Sequence, residues 1–293
     1  MAPSHPPSPR VELARAKVNL ALHVTGQRSD GYHLLESLVV FPQIGDRIAL
    51  ESSEKLELVL EGPFARDIEG PAEANLILKA VRSFAERAGL PCPDIRLTLT
   101  KRLPVSSGIG GGSSDAATTL RLLEDFTGTY LPEEELHALA LSLGADVPVC
   151  LIPEPQIMRG IGDELATGPD LPACGIVLVN PKAGVSTPEV FRSMTRRDNP
   201  ALPLVPESFD TLSQLTGYLA SCRNDMQDAA IQLCGRIGDV LSVLKADSRI
   251  DLARMSGSGA TCFGLCEPEH APDIERSLRA DHPEWWIASG PLS

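Results

Sequence analysis

Aromatic residues make up only 4% of this 293-residue chain, so each one that falls inside a motif weighs more than usual. Long apolar runs are missing too. Nothing approaches the roughly 18 residues of a membrane span, and the opening MAPSHPPSPR lacks the apolar core of a signal peptide. The seven cysteines (Cys92, Cys150, Cys174, Cys222, Cys234, Cys262 and Cys266) are odd in number, form no Cys-x-x-Cys pair and stand at no metal-ligand spacing from a histidine. They are expected as reduced, mostly buried thiols, and the sequence names no metal ligand. Basic charge is also short: the formal net charge is −13 with no dense Lys/Arg patch, which argues against nucleic acid and anionic membranes as partners. What remains is a globular cytoplasmic protein, 43% hydrophobic, with one large or two ordinary domains, as monomer or homodimer. Such an acidic chain still binds a phosphorylated metabolite where backbone N–H groups, a helix N-terminus and a divalent cation gather positive potential at one spot.

Met1–Arg10 holds four prolines and almost nothing apolar, and is expected to be a disordered tail. Alternation then predicts strands over 17–24, 34–40, 47–50, 56–60 and 95–100, in a mostly antiparallel sheet. Helical spacing marks 75–88, closed by Gly89, a helix starting near Ser113, and 133–143, stopped by Gly144. The Pro- and Gly-rich stretch from about Pro153 to Cys174 reads as a linker. Beyond it come a strand over 175–179, helices over 188–194, 209–219, 228–234 and 238–246, and strands over 252–255 and 261–265. The fold class is α+β.

The strongest chemical signal is Gly108-Ile109-Gly110-Gly111-Gly112-Ser113-Ser114, led by Pro104. Side-chain-free residues let the backbone close on phosphate oxygens while the following helix offers unpaired N–H groups. No Gly-Lys-Ser/Thr follows, so it is not a Walker A loop, and Ser113 spoils a dinucleotide fingerprint. A second element, Met255-Ser256-Gly257-Ser258-Gly259-Ala260-Thr261, read alone is an ordinary turn. Lys17 and Asn19 alternate with Val18, Leu20 and Leu22, which puts them on a solvated strand face. Asp146, in Gly-Ala-Asp-Val-Pro-Val after a helix end, is a candidate for a partly buried, tunable carboxylate. Tyr32 and His33 follow an Asp-Gly turn, Thr187 reads as an N-cap before Pro188, and Phe191 stands one turn further on.

Taken in order, AKVNLAL, DGYH, the proline-led GIGGGSSDAA, GADVPV and GSGATCFGL resemble the GHMP kinases from about Ala14 to Leu265. Within that superfamily AKVNLALHVTGQRSDGYH, GADVPV and NPKAGVSTPEVF are similar to the subfamily acting on 4-diphosphocytidyl-2-C-methyl-D-erythritol. The resemblance implies a two-domain fold, 11–165 like ribosomal protein S5 domain 2 and 166–293 ferredoxin-like, with the active site in the cleft between them. It implies an enzyme that phosphorylates the 2-hydroxyl of that substrate with ATP, with Mg2+ expected alongside, in the non-mevalonate pathway of isoprenoid biosynthesis. Carried over by position, Asp146 matches the catalytic aspartate and Lys17 the lysine beside it. Asn19, Tyr32, His33, Thr187 and Phe191 match the substrate pocket. Asn75, Lys101, Pro104, Gly108, Gly110, Gly111, Gly112, Ser113 and Ser114 match the ATP side. Ser106 and Ser107 stand where relatives often carry more glycine. A kinase for another alcohol, or a fold-mate without turnover, are the competing readings.

Overall fold

The computed structural model describes residues 9–292. Most of the expected tail, residues 1–8, lies outside the described residues, and Arg10 already opens the first strand. In chain order the elements are β1 (Arg10–Arg15), β2 (Val18–Gln27), β3 (His33–Val40), β4 (Gly45–Ser52), β5 (Glu57–Glu61), α1 (Leu76–Arg87), β6 (Ile95–Thr100), α2 (Gly111–Thr127) and α3 (Glu133–Leu143). They continue with β7 (Gln156–Arg159), β8 (Glu164–Thr167), β9 (Gly175–Asn180), α4 (Thr187–Ser193), α5 (Leu212–Ala220), α6 (Gln227–Leu233) and α7 (Arg236–Ala246). The last four are β10 (Leu252–Met255), β11 (Cys262–Cys266), α8 (Ala271–Asp281) and β12 (Trp286–Pro291).

The described residues fall into two compact units that interleave along the chain. The first comprises the residues up to Arg15, Gly45–Val105 and Gly111–Ile152. Its sheet has the order β1-β4-β6-β5, antiparallel except for the β5–β6 pair. Strict alternation in β6 turns Ile95, Leu97 and Leu99 inward and Arg96 outward, so a single apolar face suffices. Helix α1 buries Ile77, Val81 and Phe84 on one stripe, its start capped by Asn75, whose Oδ1 accepts from Ile77 N at 2.9 Å. Gly89, at φ 66°, takes the left-handed position that ends it.

The second unit comprises Ala16–Ile44, Ser106–Gly110 and everything from Pro153. One sheet, of order β2-β3-β7-β8, overturns the linker expected between Pro153 and Cys174. Two four-residue strands pair there through a turn in which Gly160 and Gly162 have φ of 67° and 106°. Strands so short, bounded by prolines and glycines, leave no periodic trace in sequence. The other sheet, read β12-β9-β11-β10, is fully antiparallel, and α7 and α8 pack against it. Counting its strands in chain order gives 4-1-3-2, the arrangement of a ferredoxin-like split β-α-β domain. Elements α8 and β12 lie past Leu265, where the sequence pattern resolves no segments.

None of the seven cysteines, all among the described residues, is in a disulfide, and five of them are buried. Burial pushes Cys174 up to about 11 and Cys266 up to about 12, so both stay thiols. No helix among the described residues is long and apolar enough to cross a membrane.

Candidate active site

The glycine-rich turn is built on backbone conformations that suit glycine. Gly108 and Gly110 have φ of 75° and 62°, while Ser106, a residue with a side chain, also sits at 52°. Gly108 is constrained twice over: a Cβ there would stand 2.4 Å from the carbonyl oxygen of Gly259. Reciprocally, a Cβ on Gly257 would lie 2.8 Å from the carbonyl oxygen of Gly108. The two glycine-rich elements therefore touch backbone to backbone. Thr261 reinforces the contact, its N–H and Oγ1 both donating to Ser107 O at 3.2 and 2.6 Å. Asn180 Nδ2 in turn donates to Thr261 Oγ1 at 2.9 Å. Asn224 Nδ2 donates to the carbonyls of Met255 and Gly257, both at 2.8 Å. What reads alone as an ordinary Ser/Gly turn is thus the brace of the first glycine-rich turn.

Lys17 and Asn19 are not on a solvated face; they are 5% and 1% exposed. Strand β2 is covered on both sides, because Ser37 of β3 and Ser256, far along the chain, close over its polar side. Asn19 Nδ2 donates to Ser37 Oγ at 2.7 Å, and Asn19 N–H to Ser256 Oγ at 3.0 Å. The Lys17 N–H donates to Ile109 O at 2.9 Å, and its stem runs along Gly110, where a Cβ would meet Lys17 Cβ at 3.1 Å.

Helix α2 begins at Gly111, two residues before the expected Ser113, so Gly111 and Gly112 themselves supply N–H groups without intrahelical acceptors. Gly112 is exposed, and a Cβ added there would have Leu76 Cδ1, at 3.7 Å, as its nearest neighbour. The hydroxyls of the two serines part company here. Ser114 is buried and donates to Arg15 O at 2.6 Å, whereas the Ser113 hydroxyl has no hydrogen-bond partner among the described residues. Asn75 commits its carbonyl to the α1 cap, and its amide nitrogen has no partner among the described residues. Asp146 lies half-buried in the turn after α3, its carbonyl accepting from Cys150 Sγ at 3.2 Å.

Lys101 is held unlike a ligand-binding lysine. Its ammonium sits 2.5 Å from Asp46 Oδ2 and 2.8 Å from Asp115 Oδ2, all three side chains buried. Burial pushes the Asp115 carboxyl up to about 7, against the pull of Lys101. Burial alone would lower Lys101, but the two carboxylates raise it. Asp46 and Asp115 share no local pattern with Lys101 that would mark them in sequence as its partners. The available signal is a carboxylate beside the run Ala116, Ala117, Thr118, Thr119, Leu120, where an acid calls for a buried cation.

Near β3 the structure pairs His33 with Phe191, ring centroids 4.1 Å apart and planes within 6°. Tyr32 stands 61% exposed beside them in sequence. Arg197 fixes Phe191 from behind, donating from Nε and Nη2 to its carbonyl at 3.2 and 2.8 Å. His33 Nε2 is buried with no partner. Burial first and the Arg197 charge second hold the His33 ring below its ordinary value, so it is a neutral imidazole. Thr187 is not the N-cap of α4 but its first residue; its Oγ1 instead meets Ser258 Oγ at 2.7 Å.

Two domain families match the chain, GHMP kinases N terminal domain over residues 75–153 and GHMP kinases C terminal over residues 207–284. The 4-diphosphocytidyl-2-C-methyl-D-erythritol kinase of Ruegeria pomeroyi is 50% identical over 282 residues, 95% of this chain and 97% of that protein. The chain belongs to this family of GHMP kinases. The enzyme of the same name from Rhizobium leguminosarum is 48% identical over 280 residues, 94% of this chain and 92% of that one. A crystal structure of a 4-(cytidine 5'-diphospho)-2C-methyl-D-erythritol kinase matches at a TM-score of 0.79 and 33% identity, covering 97% of this chain and 99% of the other.

For a GHMP kinase the metal question is modest. Among the described residues no three His, Cys, Asp or Glu side chains gather as a ligand set. Magnesium bound with a triphosphate needs only one or two protein oxygens, since phosphates and waters supply the rest. The Ser113 and Ser114 hydroxyls at the start of α2 both keep oxygen lone pairs for such a bond, Ser114 while donating to Arg15 O, and Ser113 is the more accessible of the two.

Proposed function

We propose that the protein transfers the γ-phosphoryl group of ATP to the 2-hydroxyl of 4-diphosphocytidyl-2-C-methyl-D-erythritol, giving the 2-phosphate and ADP in the non-mevalonate pathway. The observation that carries this reading is 50% identity with a kinase of that name over nearly the whole of both chains. The geometry supports it with a glycine turn whose conformation is held by a second glycine element.

The triphosphate rests on the turn from Gly108 to Ser114, its oxygens taking the free N–H groups at the start of α2, where the helix dipole favours negative charge. Pro104 leads into that turn. Asn75 would offer its amide nitrogen to the nucleotide, and Ser113 would offer its hydroxyl oxygen to Mg2+, which when bound would screen the phosphate charge. In the transfer the substrate oxygen bonds to the γ-phosphorus and the bond from that phosphorus to the β–γ bridging oxygen breaks. The hydroxyl proton passes to the Asp146 carboxylate. Because the transition state is loose, placement and charge matter more than basic strength, and Lys17, laid along Gly110, supplies charge where the phosphoryl group moves. Asn19 and Thr187 hold the erythritol side, and Tyr32, His33 and Phe191 the cytosine, with stacking for affinity and the His33 nitrogen for discrimination.

A coupled assay for ADP release tests the reading, with the cytidyl substrate, homoserine and mevalonate offered in turn. Turnover with the cytidyl substrate in clear preference is expected. Preference for another alcohol, or tight ATP binding without turnover, would overturn it.

A further inference from the structure

We propose that Asp46, Lys101 and Asp115 form a positioning device that locks the first turn of α2, and through it the N–H groups that receive ATP. The proposal rests on assigning the Gly108–Ser114 turn to the triphosphate.

Three ionisable side chains at 0%, 4% and 4% exposure are costly to keep, and persist where each is bonded to something that needs fixing. One ammonium here ties three segments together. Lys101 follows β6 directly, Asp46 lies in β4, and Asp115 is the fifth residue of α2. Asp46 also fixes the chain just past Lys101, its Oδ1 accepting from Arg102 N at 2.5 Å and Leu103 N at 2.8 Å. The ammonium rises directly beneath the start of the helix. A Cβ on Gly111 would lie 3.1 Å from Lys101 Nζ, closer than ordinary contact, and 3.6 Å from Asp46 Oδ2, so the first residue of the helix lies directly against the network. Ser114, bonded to Arg15 O, pins the same turn to the end of β1.

Lys101 therefore does not reach a phosphate; its side chain is 5% exposed and committed to two carboxylates. It acts through Gly111. Asp115 completes the device with one oxygen only, since its Oδ1 is buried without a partner. That lopsided bonding accords with a carboxyl pushed up to about 7, and a protonated Asp115 leaves one ammonium facing one carboxylate.

The test compares Lys101→Met, Asp115→Ala and Asp115→Asn by hydrogen exchange of the ligand-free protein and by calorimetry with ATP and with the cytidyl substrate. Lys101→Met and Asp115→Ala should speed exchange of the amides at 115–119, whose acceptors belong to the first turn, by about 10-fold or more, and weaken ATP binding by a similar factor. Affinity for the cytidyl substrate should stay within about 2-fold, and Asp115→Asn, which keeps an acceptor for Lys101, should restore both properties to within about 3-fold. Should Lys101→Met not fold, the double variant Lys101→Met/Asp115→Leu, which removes the stranded carboxylate, reads the same quantities. Exchange unchanged from wild type in either folded protein overturns the proposal and leaves the ATP assignment standing. Faster exchange with ATP affinity intact overturns it too, and Gly112→Val then shows why. If that variant also binds ATP normally, the assignment of the turn has failed rather than the network.

Discussion

Gly108→Ala is the substitution to which the braced turn is most sensitive. An alanine at φ 75° pays about 1–2 kcal/mol for the left-handed conformation. Its methyl would also stand 2.4 Å from the Gly259 carbonyl oxygen, a backbone atom that cannot rotate aside. Forced repacking of that kind costs a further 1–3 kcal/mol or so, for a total loss of about 2–5 kcal/mol, a large part of the stability of a typical domain. Gly112→Ala is the control. It lies at the second residue of α2 with ordinary contact distance to its nearest neighbour, so helix propensity should leave it neutral or up to about 1 kcal/mol more stable. Urea unfolding of the ligand-free proteins, with equal slopes, measures both. Gly108→Ala within about 0.5 kcal/mol of wild type would refute the claim that the two glycine elements brace each other.

Asp146→Asn should lower kcat by about 100-fold or more, with the urea midpoint and ATP affinity unchanged; near-normal turnover in the folded variant ends its assignment as proton acceptor. Phe191→Ala should raise KM for the cytidyl substrate by about 10-fold or more while KM for ATP holds. A loss of ATP affinity instead would make Phe191 a packing residue. His33 gives a pH dependence. Its folded pKa is depressed, so its contribution to stability is fully present above the unfolded value near 6.5 and is lost as pH falls through the folded value. Stability and cytidyl-substrate affinity should both drop below a pH of about 6.5, and His33→Gln should lose most of that slope; equal slopes in the two proteins would count against the neutral imidazole.

The parts of this fold that announce themselves in sequence are those whose physics is local. Gly89 stops α1 because a helix end needs a left-handed residue, and β6 shows its alternation because only one face is buried. The turn before α2 is legible because glycine and a helix start leave few other readings. Lys17 and Asn19 look solvated because the groups that cover them are distant in sequence, the Ile109–Gly110 turn for Lys17 and Ser256, 237 residues away, for Asn19. Period-two alternation reports one covered face and is silent on a second. The same distance hides the His33–Phe191 stack, and hides Asp46 and Asp115 from Lys101, since charge pairing at separations of 55 and 14 residues has no spacing rule.

The chain crosses between its two compact units at 15/16, 44/45, 105/106, 110/111 and 152/153, and the fourth crossing falls inside the glycine-rich turn. During synthesis β3 must wait for β7, which emerges more than a hundred residues later, so the second unit cannot finish folding before then. No single cut releases either unit whole. An engineer wishing to graft one unit from a relative would have to make five junctions, one of them in the glycine-rich turn. The two units are therefore inherited together in this architecture, open to change by substitution and closed to the exchange of modules.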